Sequence, residues 1–248
     1  MALKCNVCGA EVISGTKCPY CGSVLVKVEE VKETTKDTGS ILDKAMKSVV
    51  KVLVRYVNTD IVTFGAGCVM DNGMICTNAH VLYNDGYERS QVLVKFLNED
   101  KDEYYKAKVL AVYDNDDVAI LKPEGRIPIT RGLPLGDSDL VKMGDHVFTI
   151  GNPLQQDFSY NEGVVSNPKR IHDDKSDYVI QTNIDFNHGN SGGPLINQKG
   201  EIIGMATYSL INELETNVEG VEVKGETRGM GFCVSSNTIK KVIKKINN

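Results

Sequence analysis

Gly67-Cys68-Val69-Met70-Asp71-Asn72-Gly73-Met74-Ile75-Cys76-Thr77-Asn78-Ala79-His80 holds two short apolar runs, Gly67–Met70 and Met74–Thr77, around Asp71-Asn72-Gly73. Asn and Gly accept the positive φ that a tight reversal demands, so the stretch reads as a β-hairpin. The same texture continues outward in both directions. Val49–Val57 is Val-rich and β-like, and further short strand candidates follow at Val92–Phe96, Ala107–Tyr113, Ala119–Lys122, His146–Ile150, Asn161–Ser166, Tyr178–Thr182, Glu201–Tyr208 and Gly229–Val234. Many short strands separated by Gly, Asn and Asp predict an all-β barrel or sandwich. Helical spacing is confined to two places. Ile41, Leu42, Ala45 and Met46 predict a short helical turn over Ile41–Lys47, and Ile239, Val242, Ile243 and Ile246 predict a helix over Ser236–Ile246. Glu213–Thr227, polar and glycine-containing, predicts a mobile loop.

The 248 residues suffice for one domain with a small appendage. Twenty-eight Lys and Arg against 33 Asp and Glu give a net charge of −5, so neither nucleic acid nor an anionic membrane is an expected partner. No run of about 18 apolar residues occurs, and the first residues lack the apolar core of a secretion signal, which predicts a cytoplasmic protein. Four of the 7 cysteines sit in Cys-x-x-Cys pairs and three are scattered, a pattern unlike a secreted disulfide framework.

Chemistry concentrates in three segments. Gly189-Asn190-Ser191-Gly192-Gly193-Pro194-Leu195 surrounds one serine with glycines, which lets the backbone turn sharply and aim two N–H groups at whatever the serine attacks. A serine hydroxyl needs a base within hydrogen-bond reach and a group that orients the base. Thr77-Asn78-Ala79-His80 supplies a base after a strand. Asp114, Asp116 and Asp117 supply acids before another.

These segments, with Gly65-Ala66-Gly67, Asp-Val-Ala-Ile-Leu at 117–121, Gly151-Asn152-Pro153 and Gln181-Thr182, resemble those of the HtrA/Deg serine proteases over roughly residues 40 to 245. The resemblance implies a trypsin-like double six-stranded β-barrel with a C-terminal helix. It implies His80 as general base and acid, Asp117 as its orienting carboxylate, Ser191 as nucleophile, and the Gly189-Asn190-Ser191 segment as oxyanion hole. Asp114 and Asp116 are then turn formers, and His188 belongs to the rim of the site. Asn190 stands where activatable trypsins carry Asp, so proteolytic activation is not expected. Asp185, six residues before Ser191, occupies the position that selects basic side chains in trypsins, whereas the HtrA-like pocket is apolar. With Phe186, Thr207, Tyr208 and Gly229 it makes up the expected substrate pocket. The substrate is a polypeptide, and the 57 residues after Ser191 leave no room for a PDZ domain. The rival reading is a catalytically silent binding module on the same fold.

Cys5-Asn6-Val7-Cys8 and Cys18-Pro19-Tyr20-Cys21, each followed by Gly, can close a tetrahedral thiolate shell and resemble a zinc ribbon. One structural Zn²⁺ is expected, because so short a segment cannot bury enough core to fold unaided. The predicted organisation is a zinc ribbon at 1–26, a charged linker at 27–40 and the protease domain at 41–248, with the ribbon free to bind a protein adaptor. Cys68 and Cys76 flank the hairpin and could face one another. They are expected to be buried thiols, as is Cys233.

Overall fold

The structure is a computed structural model that describes residues 3–4, 11–12, 17–23, 38–96, 103–129, 131–152, 158–171, 177–209, 213–218, 221–226 and 229–246. The chain divides into two compact units, Met1–Lys36 and Asp37–Asn248.

In the first unit, β1 (Leu3–Lys4) pairs antiparallel with β2 (Glu11–Val12), Leu3 opposite Val12. Around Cys18 the chain closes on itself, the Gly22 N–H donating to the Cys18 carbonyl at 2.9 Å and the Cys18 N–H to that of Ser23 at 2.8 Å.

The second unit opens with α1 (Thr38–Ser48), whose first turn takes in residues 38–40 that the sequence reading gave to a linker. Next come β3 (Val49–Tyr56), β4 (Val62–Val69), β5 (Ile75–Thr77), β6 (Arg89–Phe96), β7 (Tyr105–Tyr113) and β8 (Val118–Pro123). They close an antiparallel barrel in the order β3-β4-β5-β8-β7-β6. Alternation sets its inside: Val50, Val52, Val54 and Tyr56 of β3 are buried, while Arg55 between them is exposed. The hairpin joining β4 to β5 turns where expected, with Gly73 at φ 78 and the Asn72 side-chain oxygen accepting the Met74 N–H at 3.0 Å.

β9 (His146–Gly151), β10 (Ser159–Arg170), β11 (Val179–Thr182), β12 (Pro194–Asn197) and β13 (Ile202–Ser209) follow, then β14 (Glu213–Val218), β15 (Val221–Glu226), β16 (Gly231–Ser235) and α2 (Ser236–Ile246). The second barrel closes in the order β10-β11-β16-β13-β12-β9 around Val147, Val165, Ile180, Leu195, Ile203 and Cys233. The fold is therefore all-β, with two six-stranded barrels and a C-terminal helix, as expected. The segment expected to be a mobile loop is instead a two-stranded ribbon, β14 with β15, Val218 opposite Val221. Its Thr216, Val218, Val221 and Val223 supply the β-branched alternation that the dense charge obscured.

A third apolar cluster joins the two barrels. Cys68, Met70, Cys76 and Ile120 of the first meet Phe148, Ile150, Ile196 and Met205 of the second, with Ala45 of α1 and Ile239 and Val242 of α2 packed against them. Cys68 and Cys76 are opposite one another in the β4–β5 register and are free thiols, as is Cys233. No described helix is long and apolar enough to cross a membrane.

Candidate active site

β5 ends at Thr77, whose hydroxyl donates to the Ala66 carbonyl at 2.7 Å. Three residues on, buried Val81 and Leu82 pin a single helical turn that presents His80 outward, its side chain 49% exposed. Asp117, immediately before β8, adopts φ 53, a left-handed conformation rare outside glycine, in a turn closed by its N–H on the Asp114 carbonyl at 3.0 Å. That twist brings a carboxylate only 8% exposed under the imidazole. His80 Nδ1 lies 3.0 Å from Asp117 Oδ1 and 3.0 Å from Oδ2, and the His80 backbone N–H donates to Oδ1 at 3.1 Å. The carboxylate thus fixes both the ring and its main chain, and holds the proton on Nδ1.

The serine segment is seated against the other barrel. The Ala66 N–H donates to the Ser191 carbonyl at 2.7 Å, and the Gly192 N–H to that of Ala206 at 2.8 Å. Gly192 sits at φ +88, where a Cβ would lie 2.0 Å from the Ala66 carbonyl oxygen, so only glycine allows this approach. Gly189 is also left-handed, at φ 98. Among the described residues neither the Gly189 nor the Ser191 N–H donates to a protein acceptor, leaving two amides free beside the hydroxyl. Ser191 Oγ donates to the Thr207 carbonyl at 3.1 Å and not to His80.

His80, Asp117 and Ser191 nevertheless line one cavity of ≈ 690 Å³ together with Phe186, Thr207 and Tyr208. Phe186 is buried, its N–H bonded to the Ser209 hydroxyl at 2.7 Å, and Tyr208 stacks on Phe232 with ring centroids 5.1 Å apart. Asp185 and Gly229, expected in the pocket, do not line it. The exposed Asp185 carboxylate instead accepts the Gly229 N–H, which pins the chain beyond the ribbon. A second cavity of ≈ 500 Å³ reaches Ser191 and His80 from the side of Val62, Phe64 and Val81, and His188 borders both. Asn190 is 1% exposed with its Oδ1 unbonded among the described residues, and a Cβ on Gly151 would come within 2.4 Å of that oxygen. A neutral amide tolerates this confinement. A carboxylate there would be a buried charge in need of a cation.

Sequence reasoning gave no role to Asn78, Asn187 or Ser209, and read Asp114 only as a turn former. All but Asn78 line the main cavity, while Asn78 lies fully buried beneath it. The available signal for Asn78 was an amide two residues before His80, directly after the apolar β5 candidate. Of the expected zinc ligands, Cys18 is buried and Cys21 exposed, while Cys5 and Cys8 lie outside the described residues. Cys18 and Cys21, in a closed turn with Gly22 at φ 71, are two thiols of the four that a structural zinc takes.

Among known proteins, residues 65–205 match the trypsin-like peptidase domain. A probable periplasmic serine endoprotease, DegP-like, of Pseudomonas putida is 37% identical over 146 residues, which cover 58% of this chain and 28% of that protein. Serine protease HTRA1 of Xenopus tropicalis is 31% identical over 193 residues, 74% of this chain and 36% of that protein. The chain therefore spans about a third of the curated relatives it matches. The crystal structure of the serine endoprotease from Yersinia pestis superposes with a TM-score of 0.65 at 28% identity, covering 84% of this chain and 66% of that one. The HtrA-type protease AlgW with tripeptide shares the fold, with a TM-score of 0.67 at 23% identity over 84% of this chain and 63% of that one. With more than half its length matched to that domain and such relatives beside it, the chain belongs to the trypsin-like serine peptidases, in their HtrA/DegP-like part.

Proposed function

We propose that the chain is a serine endopeptidase that hydrolyses peptide bonds of polypeptides through an acyl-enzyme. The observation that carries this reading is the His80 ring held 3.0 Å from both Asp117 oxygens, on one cavity with Ser191. In the reaction the Ser191 hydroxyl leaves the Thr207 carbonyl and gives its proton to His80 Nε2 as Oγ attacks the scissile carbonyl carbon. The Gly189 and Ser191 amides receive the oxyanion, where one donor contributes about 3 kcal/mol to lowering the barrier. The imidazolium, stabilised by Asp117, then protonates the departing amine. Water repeats the sequence on the acyl-enzyme, releasing the acid and restoring Ser191. The wall formed by Phe186, Thr207 and Tyr208 favours an apolar side chain before the scissile bond, since Asp185 is engaged elsewhere.

Because Asn190 is neutral and needs no ammonium partner, the intact chain is active without a cut ahead of the barrels. Incubation of casein with the intact chain, followed by mass spectrometry, should give cleavage after aliphatic residues, and Ser191→Ala should abolish it together with labelling by a fluorophosphonate. An unlabelled wild type that still binds unfolded polypeptide would replace this reading with that of a silent binding module, which the turned-away Ser191 hydroxyl favours.

For the first unit we propose one zinc ion held by Cys5, Cys8, Cys18 and Cys21. It acts as a structural staple with no open position for water, and leaves the ribbon's surface to recruit a protein adaptor. Metal analysis should find one zinc per chain, lost in Cys18→Ser. An equal zinc content in that variant would sink the assignment.

A further inference from the structure

Asn78 is 0% exposed, and its side chain bridges the two barrels directly beneath the reacting groups. Its Nδ2 donates to the Asp117 carbonyl at 3.0 Å and to Thr207 Oγ1 at 3.1 Å. The orientation of this amide is not a free choice. A carbonyl oxygen can only accept, so the group facing Asp117 must be the NH₂. Both protons of Nδ2 are then spent, Thr207 Oγ1 is an acceptor there, and its own proton goes to the Met205 carbonyl at 3.2 Å. Every hydrogen in the bridge is thereby assigned.

The two residues joined in this way are the two that place the opposing halves of the site. Asp117 holds the His80 ring, and Thr207 lies against Ser191, its carbonyl accepting the hydroxyl in the resting pose that the hydroxyl leaves on reacting. Asn78 itself precedes His80 by two residues, in the short link between β5 and the turn that carries the imidazole. Meanwhile its Oδ1 has no hydrogen-bond partner among the described residues. A buried acceptor left unbonded costs stability, so mere filling of this space would be served better by an apolar side chain. What the amide supplies is its pair of donors.

We infer that Asn78 is a positioning residue that sets the distance between the imidazole and the serine hydroxyl across the barrel interface. It touches no substrate. Its effect is on the chemical step, because a misplacement of about 1 Å between reacting groups can cost 10²-fold in rate. The inference rests on the peptidase reading.

The test is a double-mutant cycle on peptide hydrolysis by the full chain, with Asn78→Ala, Thr207→Val and the pair, beside wild type and Ser191→Ala. Thr207→Val removes the hydroxyl and keeps the carbonyl that holds Ser191. Asn78→Ala should lower kcat about 10- to 100-fold with KM within about twofold, and adding Thr207→Val should lower it no further. A kcat near wild type in Asn78→Ala, a change confined to KM, or losses that multiply in the pair would each overturn the inference. If Asn78→Ala does not fold, Thr207→Val alone decides, since an undiminished kcat there leaves the bridge without a role. A wild type no faster than Ser191→Ala would end the peptidase reading, whereas a fully active Asn78→Ala would end only this one.

Discussion

Asp117 at φ 53 shows how much of a site can rest on one backbone angle. Three acids crowd the approach to β8, and nothing in their spacing says which one orients His80. The choice is made in space, where the turn closed on Asp114 twists Asp117 alone under the ring. Such a conformation costs about 1–3 kcal/mol and persists only where its surroundings impose it. Gly192 is the complementary case, a residue whose lack of a side chain is the requirement. Gly192→Ala should destabilise the chain by at least about 2 kcal/mol and lower hydrolysis more than 100-fold. Urea unfolding and peptide turnover measured on one preparation check both, and an active variant of native stability would show that the approach to Ala66 is dispensable. Residue by residue, His80, Ser191 and the glycines around it were legible in the sequence because the chemistry lies within a few positions. Asn78 was not legible, because its partner Thr207 is 129 positions away.

Elements were legible to the degree that their pattern is local. The β4–β5 hairpin follows from Asn72 and Gly73, and α2 from its apolar spacing, capped as Ser235 Oγ accepts the Thr238 N–H at 3.2 Å. β12 escaped because Pro194 opens it directly from the serine turn, and Pro is a poor strand signal. The β14–β15 ribbon escaped because Glu213, Glu215, Glu222, Lys224 and Glu226 outnumber its valines and gave the segment the composition of a loop. β10 was expected to be six residues shorter, and its extension past Ser166 carries irregularities in the pairing with β11 around Asn167. In each case register with a neighbouring strand overrode local composition.

At the scale of the molecule, periodicity alone left barrel and sandwich equally open, and the double barrel came from the resemblance. Closure depends on pairs such as β3 with β6 that no local pattern encodes. The same closure buries Cys68, Cys76 and Cys233 completely, and burial raises each thiol pKa above its ordinary value of 9.0, Cys76 to about 12. The unfolded chain releases these protons near pH 9 and the folded chain does not, so the folded state binds more protons above that pH and stability falls as pH rises. Denaturant midpoints should therefore hold steady to about pH 8.5 and then drop, by roughly 1 kcal/mol per pH unit for each thiol. Cys68→Ala and Cys233→Ala should flatten the decline, and an unchanged slope would assign it to other groups.

The packing of α2 carries one more consequence. Ile239 and Val242 reach into apolar side chains contributed by both barrels, and Lys245 lies over the Tyr113 ring of β7 at 4.7 Å. A nascent chain emerging from the ribosome has all twelve barrel strands available before this clamp exists. Until residues 236–246 are translated, the two halves lack Ile239 and Val242 in the apolar cluster they share, so the seam between the barrels is completed only when α2 is added.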